Sequence, residues 1–196
     1  RQPGILAGSL GNLMMSMSFG AAVVSFFPIY AAQLLVPQVV ISSMYSARAF
    51  GSTLARLPTG AMASRVPSRF LMYGALALAM VAQLLMAQAT SATALGLLLI
   101  LEGVSFGGFL TSGQIFVAEN STQSTRGAAV GVYSTAGSLG STVSAVILGA
   151  VADQFGVRLV FRLVGLLILT GLLVIVYLST RSQPASVRER GEIGQA

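Results

Sequence analysis

Six long apolar runs, broken by short clusters of charged, polar, glycine or proline residues, organise this chain. They fall at about residues 9–31, 38–63, 70–89, 94–118, 127–150 and 159–179. Each is long enough, at about 1.5 Å of rise per helical residue, to cross a hydrocarbon core of about 30 Å. The breaks differ in kind. Gln33 and Pro37 close the first run, and Ser64-Arg65-Val66-Pro67-Ser68-Arg69 closes the second. Thr90-Ser91-Ala92-Thr93 follows the third, and a polar stretch from Glu119 to Arg126 follows the fourth. Asp153 to Gly156 is the expected turn after the fifth run, and a polar tail, residues 182–196 and expected to be disordered, follows the sixth. The pattern predicts an all-α membrane protein with a six-helix bundle over residues 1–181.

One break pattern occurs twice. Gly60, Ser64, Pro67 and Arg69 are matched, 89 positions later, by Gly149, Asp153, Gly156 and Arg158. The same offset maps the first three runs on the last three. Three spans per unit makes the second unit, residues 91–181, cross the bilayer in the opposite sense to the first, residues 1–90. Inverted three-helix repeats of this kind build several transporter folds.

Composition agrees and narrows the field. The chain is 55% hydrophobic and 8% charged, against about 25% charged residues in soluble domains. The formal charge of +6 comes with eleven scattered arginines rather than a basic patch, which argues against nucleic acid as a partner. Cys and His are both absent, so thiol chemistry, disulfides and His-based dyads are excluded. No cofactor or metal is expected, and no enzymatic activity. The charges between the runs set the orientation. With the N-terminus inside, the inner segments hold Arg1, Arg65, Arg69, Arg126, Arg181, Arg188 and Arg190, and the outer ones only Arg158 and Arg162. Both termini are therefore expected in the cytoplasm of a plasma membrane, here a bacterial inner membrane.

Three charged residues lie well inside the runs: Arg48, Arg56 and Glu102. Arg48 and Glu102 lie at about the same depth, some 12–15 Å from the outer surface. They are candidate partners, or joint ligands of a charged substrate, and a buried pair that only fixes packing is the alternative. Steps of three or four place Ser42, Tyr45, Arg48, Ser52, Arg56 and Thr59 on one helix face. Asn12 and Ser16 in the first run, and Ser105 in the fourth, extend this polar lining. The first, second, fourth and fifth spans would line a cavity, leaving the third and sixth to lipid. A stripe of small residues in the fifth span (Gly127, Gly131, Ser134, Ser138, Ser141, Ala145, Gly149) suits close helix contact.

The segment Gly60-Ala61-Met62-Ala63-Ser64-Arg65-Val66-Pro67-Ser68-Arg69 resembles the loop signature G-x-L-A-D-R-x-G-R-R of the major facilitator superfamily. Arg126-Gly127-Ala128-Ala129-Val130-Gly131, with Gly149 to Arg158, is similar to that family's tenth-to-twelfth helix region. The resemblance implies half of a major-facilitator fold, helices seven to twelve, with the N-terminal six-helix bundle missing; the opening Arg1-Gln2-Pro3-Gly4 likewise reads as a continuation. It implies conformational-coupling roles for Gly60, Arg65, Arg69, Arg126, Asp153 and Arg158. The signature's Asp is Ser64 here, so the charge it would supply is absent. Arg65 and Arg69 also read as simple positive-inside anchors.

Together these features point to secondary active transport of a small organic solute by alternating access, proton-coupled through Glu102 and directed outward. Burial and the Arg48 charge act on Glu102 in opposite senses. A transporter-like receptor or assembly subunit without transport is the alternative. The topology is open to a direct test: a single thiol introduced at Thr93 should label from outside and one at Ser182 from the cytoplasm. The reverse pattern would overturn the orientation.

Overall fold

The computed structural model describes residues 3–180, and their secondary structure is helical throughout. Six helices follow in order: α1 (Pro3–Gln33), α2 (Gln38–Met62), α3 (Ser68–Met86), α4 (Ala92–Glu119), α5 (Arg126–Phe155) and α6 (Val157–Thr180). The expected tail, residues 182–196, lies outside the described residues, as do Arg1, Arg181, Arg188 and Arg190. Five helices are long and apolar enough to cross a membrane; α2 has the length, at 25 residues, but not the apolarity. Its polarity is partly self-contained. Ser42, Ser43, Ser46, Thr53 and Thr59 each donate to the carbonyl four residues back, so these hydroxyls need no water.

The helix ends follow from local chemistry. Pro37 and Pro67, both with extended ψ, precede α2 and α3, where a missing N–H does no harm. The Ser91 hydroxyl accepts from the Ala94 amide at 3.2 Å and caps α4. Ser64, in the loop after α2, donates to Ala61 O at 2.7 Å. The expected turn at 153–156 needs correction. Asp153 is still helical, and the reversal between α5 and α6 falls on Gly156 alone, at φ 85° and ψ 159°. Only glycine adopts that conformation without strain, so one residue does what four were expected to do.

Helix α1 is not uniform. Ser18–Phe26 winds as π-helix, and the Ser25 hydroxyl donates to Gly20 O at 2.9 Å. Pro28, two residues beyond, has no N–H to give and so interrupts the regular hydrogen-bond ladder there.

Packing is pairwise. Helix α2 lies on α4 and α5 on α1; α3 lies on α4 and α6 on α1; α3 and α6 also touch. Replacing each helix by the one three places on maps these contacts onto themselves. Two crossings bring backbones together. A Cβ on Gly107 would stand 2.0 Å from Ser52 O, and one on Gly103 2.4 Å from Arg48 O. Across the bundle, a Cβ on Gly140 would stand 2.4 Å from Leu13 O, and one on Gly20 2.6 Å from the Ser141 Cα. The small-residue stripe of α5 serves this contact only in part. Gly127, Gly131 and Gly149 have no neighbour near a would-be Cβ, and Gly137 and Gly140 make the approach instead.

Polar cross-links pin the same contacts. Asn12 Nδ2 donates to Tyr133 O at 2.8 Å, Gln83 Nε2 to Ser18 Oγ at 2.6 Å, and Tyr30 Oη to Ala89 O at 2.6 Å. Ser68 donates to Glu119, joining the start of α3 to the end of α4. The core holds Phe27, Tyr30, Phe109, Phe161, Met15 and Met72, all but fully buried. Val132, Val146, Ile147, Leu166, Leu173 and Tyr177 point outward from α5 and α6, a surface for lipid or another apolar partner rather than water. Gly107→Ala should lower the unfolding free energy by about 1–3 kcal/mol through overpacking. Gly131→Ala, which meets open space, should be neutral or slightly stabilising. Thermal or denaturant unfolding of the two variants in lipid checks the contrast.

Candidate functional site

The α2–α4 crossing places Arg48 opposite Glu102, with Gly103 admitting the Arg48 backbone. Arg48 Nε lies 2.5 Å from Glu102 Oε2, the arginine 7% exposed and the glutamate fully buried. This is the one ion pair among the described residues. Two rings complete the cation's surroundings: its guanidinium carbon is 4.8 Å from the Phe19 centroid and 5.1 Å from that of Phe106. The rings are themselves 4.9 Å apart and tilted by 31°. Aromatic faces attract a desolvated guanidinium, so the cation has three partners from two helices, α1 and α4. The pair is still incompletely satisfied. Arg48 Nη2 and Glu102 Oε1 are buried without a hydrogen-bond partner. Such a pair has a high desolvation cost and is weak evidence for stability alone.

An open groove of about 620 Å³, lined in part by Phe19, lies between α1, α4 and α5. Asn12, Ser16, Gln114, Tyr133, Ser138 and Thr142 supply polar groups to it, and Phe19, Val24 and Leu110 supply apolar ones. Helix α2 contributes nothing to this lining, although its face was expected there. Phe19 thus touches both the groove and the cation. Asn12 and Ser16 line the groove as a pair, though the Asn12 amide is already committed to α5. Tyr45 stays outside it: half-buried, it donates to Val23 O at 2.5 Å and meets Phe27 edge-on. Ser105 is buried and turns back on Glu102 O at 2.9 Å. Ser52 is buried at the Gly107 contact.

The residues singled out near the helix ends are dispersed. Gly60, Arg65, Arg126 and Asp153 are exposed, and Arg69 is half-buried with its guanidinium 4.9 Å from the Phe70 ring. Arg69 Nε is buried without a hydrogen-bond partner. Arg158 reaches across to α1: its Nε donates to Tyr30 Oη at 3.0 Å and its guanidinium lies 5.6 Å from the Tyr30 ring. Since Tyr30 also holds Ala89 O, three segments meet at that end. Arg56 is exposed. Several of these contacts cannot be read from spacing along one helix. Phe106 and Phe19 as a cation's shelf, Gln114 in the groove and Gln83 on Ser18 depend on which helices become neighbours.

Six helices with apolar outer faces, an ion pair buried at their centre and an open polar groove beside it define half of a polytopic membrane transporter fold. The family model of the Major Facilitator Superfamily matches residues 8–195, and the chain belongs to that superfamily. It is 31% identical over 187 residues to the multidrug resistance protein MdtG of Citrobacter koseri, a match covering 92% of this chain and 45% of that protein. The POT family transporter PepTSo, solved in meso, shares the fold with a TM-score of 0.78 at 17% identity, over 93% of this chain and 38% of that one. The chain thus spans less than half the length of these two relatives.

The ion pair makes a thermodynamic prediction. Arg48→Met and Glu102→Leu should each destabilise the bundle by about 3–5 kcal/mol, because each strands a buried charge. The double substitution should recover most of that loss. Losses that simply add in the double variant, measured by unfolding in lipid, would show that the two charges are not coupled.

Proposed function

We propose that this chain forms the helix seven-to-twelve bundle of a secondary active transporter that exports a small organic solute by alternating access. The observation that carries the reading is the incompletely satisfied Arg48–Glu102 pair, one aromatic ring away from an open groove. A structural pair at such cost needs a reason, and ionisable groups at membrane depth usually mark ion or substrate pathways. Two inverted three-helix repeats, with the first ending near residue 90, agree with the exchange of helix contacts. The outward direction is supported by the similarity to a protein named for multidrug resistance.

In this reading Glu102 is the proton carrier. A proton on its carboxylate removes the charge that holds Arg48, which then keeps only the Phe19 and Phe106 faces. The α2–α4 contact and the Phe19 wall of the groove respond together, so protonation and solute occupancy influence one another. A second six-helix bundle would face the groove and complete the site. Gly60, Arg65 and Arg69 would couple the two bundles on the cytoplasmic side, with Arg126 beside them and Asp153 and Arg158 at the outer end. Both termini would be cytoplasmic, in a bacterial inner membrane.

Glu102→Gln in the full-length protein should abolish solute flux driven by a pH gradient while solute still binds. The assay is counterflow against proton-driven efflux in proteoliposomes, using protein that retains its thermal transition. Unchanged pH-driven flux would remove Glu102 from the mechanism.

A further inference from the structure

We infer that the groove selects an uncharged solute, an amphipathic molecule bearing hydroxyl or amide groups, and rejects organic ions of similar size. This rests on the preceding reading that the groove is where solute sits. None of the residues that line it is charged, although eleven arginines and five acids occur in the chain. Its uncommitted polar side chains are neutral. Gln114, Ser134, Ser138 and Thr142 are exposed and donate to no group among the described residues. On α5 these hydroxyls recur at steps of four and lie more than two turns from either helix end. Unlike the serines and threonines of α2, they do not fold back on their own helix, so at membrane depth they need an outside partner. Phe19, Val24 and Leu110 give the groove its apolar side. A volume of about 620 Å³ suits a drug-sized molecule.

The nearest charges reinforce the selection. Arg48 and Glu102 neutralise each other and neither lines the groove, which shares only the Phe19 ring with the guanidinium's surroundings. An anion would have to lose its hydration without reaching Arg48. A cation stacked on Phe19 would meet a ring already engaged by a guanidinium. Neither ion finds a counter-charge on this bundle to offset desolvation, which amounts to several kcal/mol per buried ion. A neutral solute exchanges water for hydroxyl and amide partners at little net cost.

The test uses thiol protection, since this chain contains no cysteine. Ser138→Cys, in full-length protein otherwise free of cysteine and held in nanodiscs, is labelled with a maleimide. The probes are uncharged chloramphenicol and two ions of similar bulk, tetraphenylphosphonium and tetraphenylborate. Chloramphenicol should slow labelling at least fivefold and the ions should not. Adding Gln114→Leu should weaken that protection by about three- to tenfold, and adding Gln114→Glu should make tetraphenylphosphonium protective. Protection by either ion without the added Glu overturns the selection for neutral solutes and leaves the groove as the binding site. No protection by any probe overturns both, because the groove is then not the site. Proton-driven flux of the parent protein, measured separately, shows whether the transport reading itself survives.

Discussion

The approach of α2 to α4 without an intervening side chain is the contact on which the rest of this bundle depends. In a bilayer, helices gain nothing from hiding apolar surface from lipid, so association rests on close packing and polar cross-links. Gly103 and Gly107 let the backbones of Arg48 and Ser52 come into direct van der Waals contact with α4. A methyl group at either position would push α2 away and lengthen the 2.5 Å ion pair. Distance between backbones thus sets whether the charges can meet. The α1–α5 crossing uses the same arrangement: Gly137 and Gly140 face Asn12 and Leu13, and the Asn12 amide bonds across to Tyr133 O. Glycine contact and polar cross-link coincide in both halves, as a bundle built from related three-helix units would have it.

Charge, ring and groove then form three layers in series. The ion pair is electrically closed on itself, Phe19 and Phe106 cover its cation, and Phe19 also forms part of a surface with dipoles but no charges. Such layering keeps the charged pair apart from the atoms that line the groove. It also gives the unusual winding of Ser18–Phe26 a place in the architecture. That segment carries Phe19, Gly20, Val24 and Ser25 into the groove, offers Val23 O to Tyr45 and is tied to α3 by Gln83. A π-wound stretch has a looser hydrogen-bond pattern than α-helix and is common at functional sites.

Much of this was legible in the amino-acid sequence because the membrane makes polarity conspicuous. Six apolar runs located six helices, although α5 runs five residues past its expected end and α1 begins six residues before its own. The equal depths of Arg48 and Glu102 pointed to partners, and the structure places them in contact. Other features had no such signal. Small residues on α5 looked alike in sequence, yet only Gly137 and Gly140 among its glycines pack closely on α1, because a stripe does not say which edge meets that helix. The turn at Gly156 was misjudged since Asp153 is as common in turns as at helix ends. Phe19 falls in helical phase with Asn12 and Ser16, but nothing in the spacing shows that its ring also covers the Arg48 guanidinium.

The separation of 54 residues between Arg48 and Glu102 has a consequence for how the protein is made. A single arginine at the centre of a helix raises the cost of entering the bilayer by about 2.5–3.5 kcal/mol. Helix α2 leaves the ribosome with that arginine uncompensated, and it is also the one helix too polar to qualify as a span by itself. At about 5–20 residues per second, its counter-charge arrives roughly 3–10 seconds later. During that interval α2 must be sheltered at the insertion machinery or held at the membrane surface by its neighbours. The order of synthesis thus makes α4 the helix that admits α2 to the membrane.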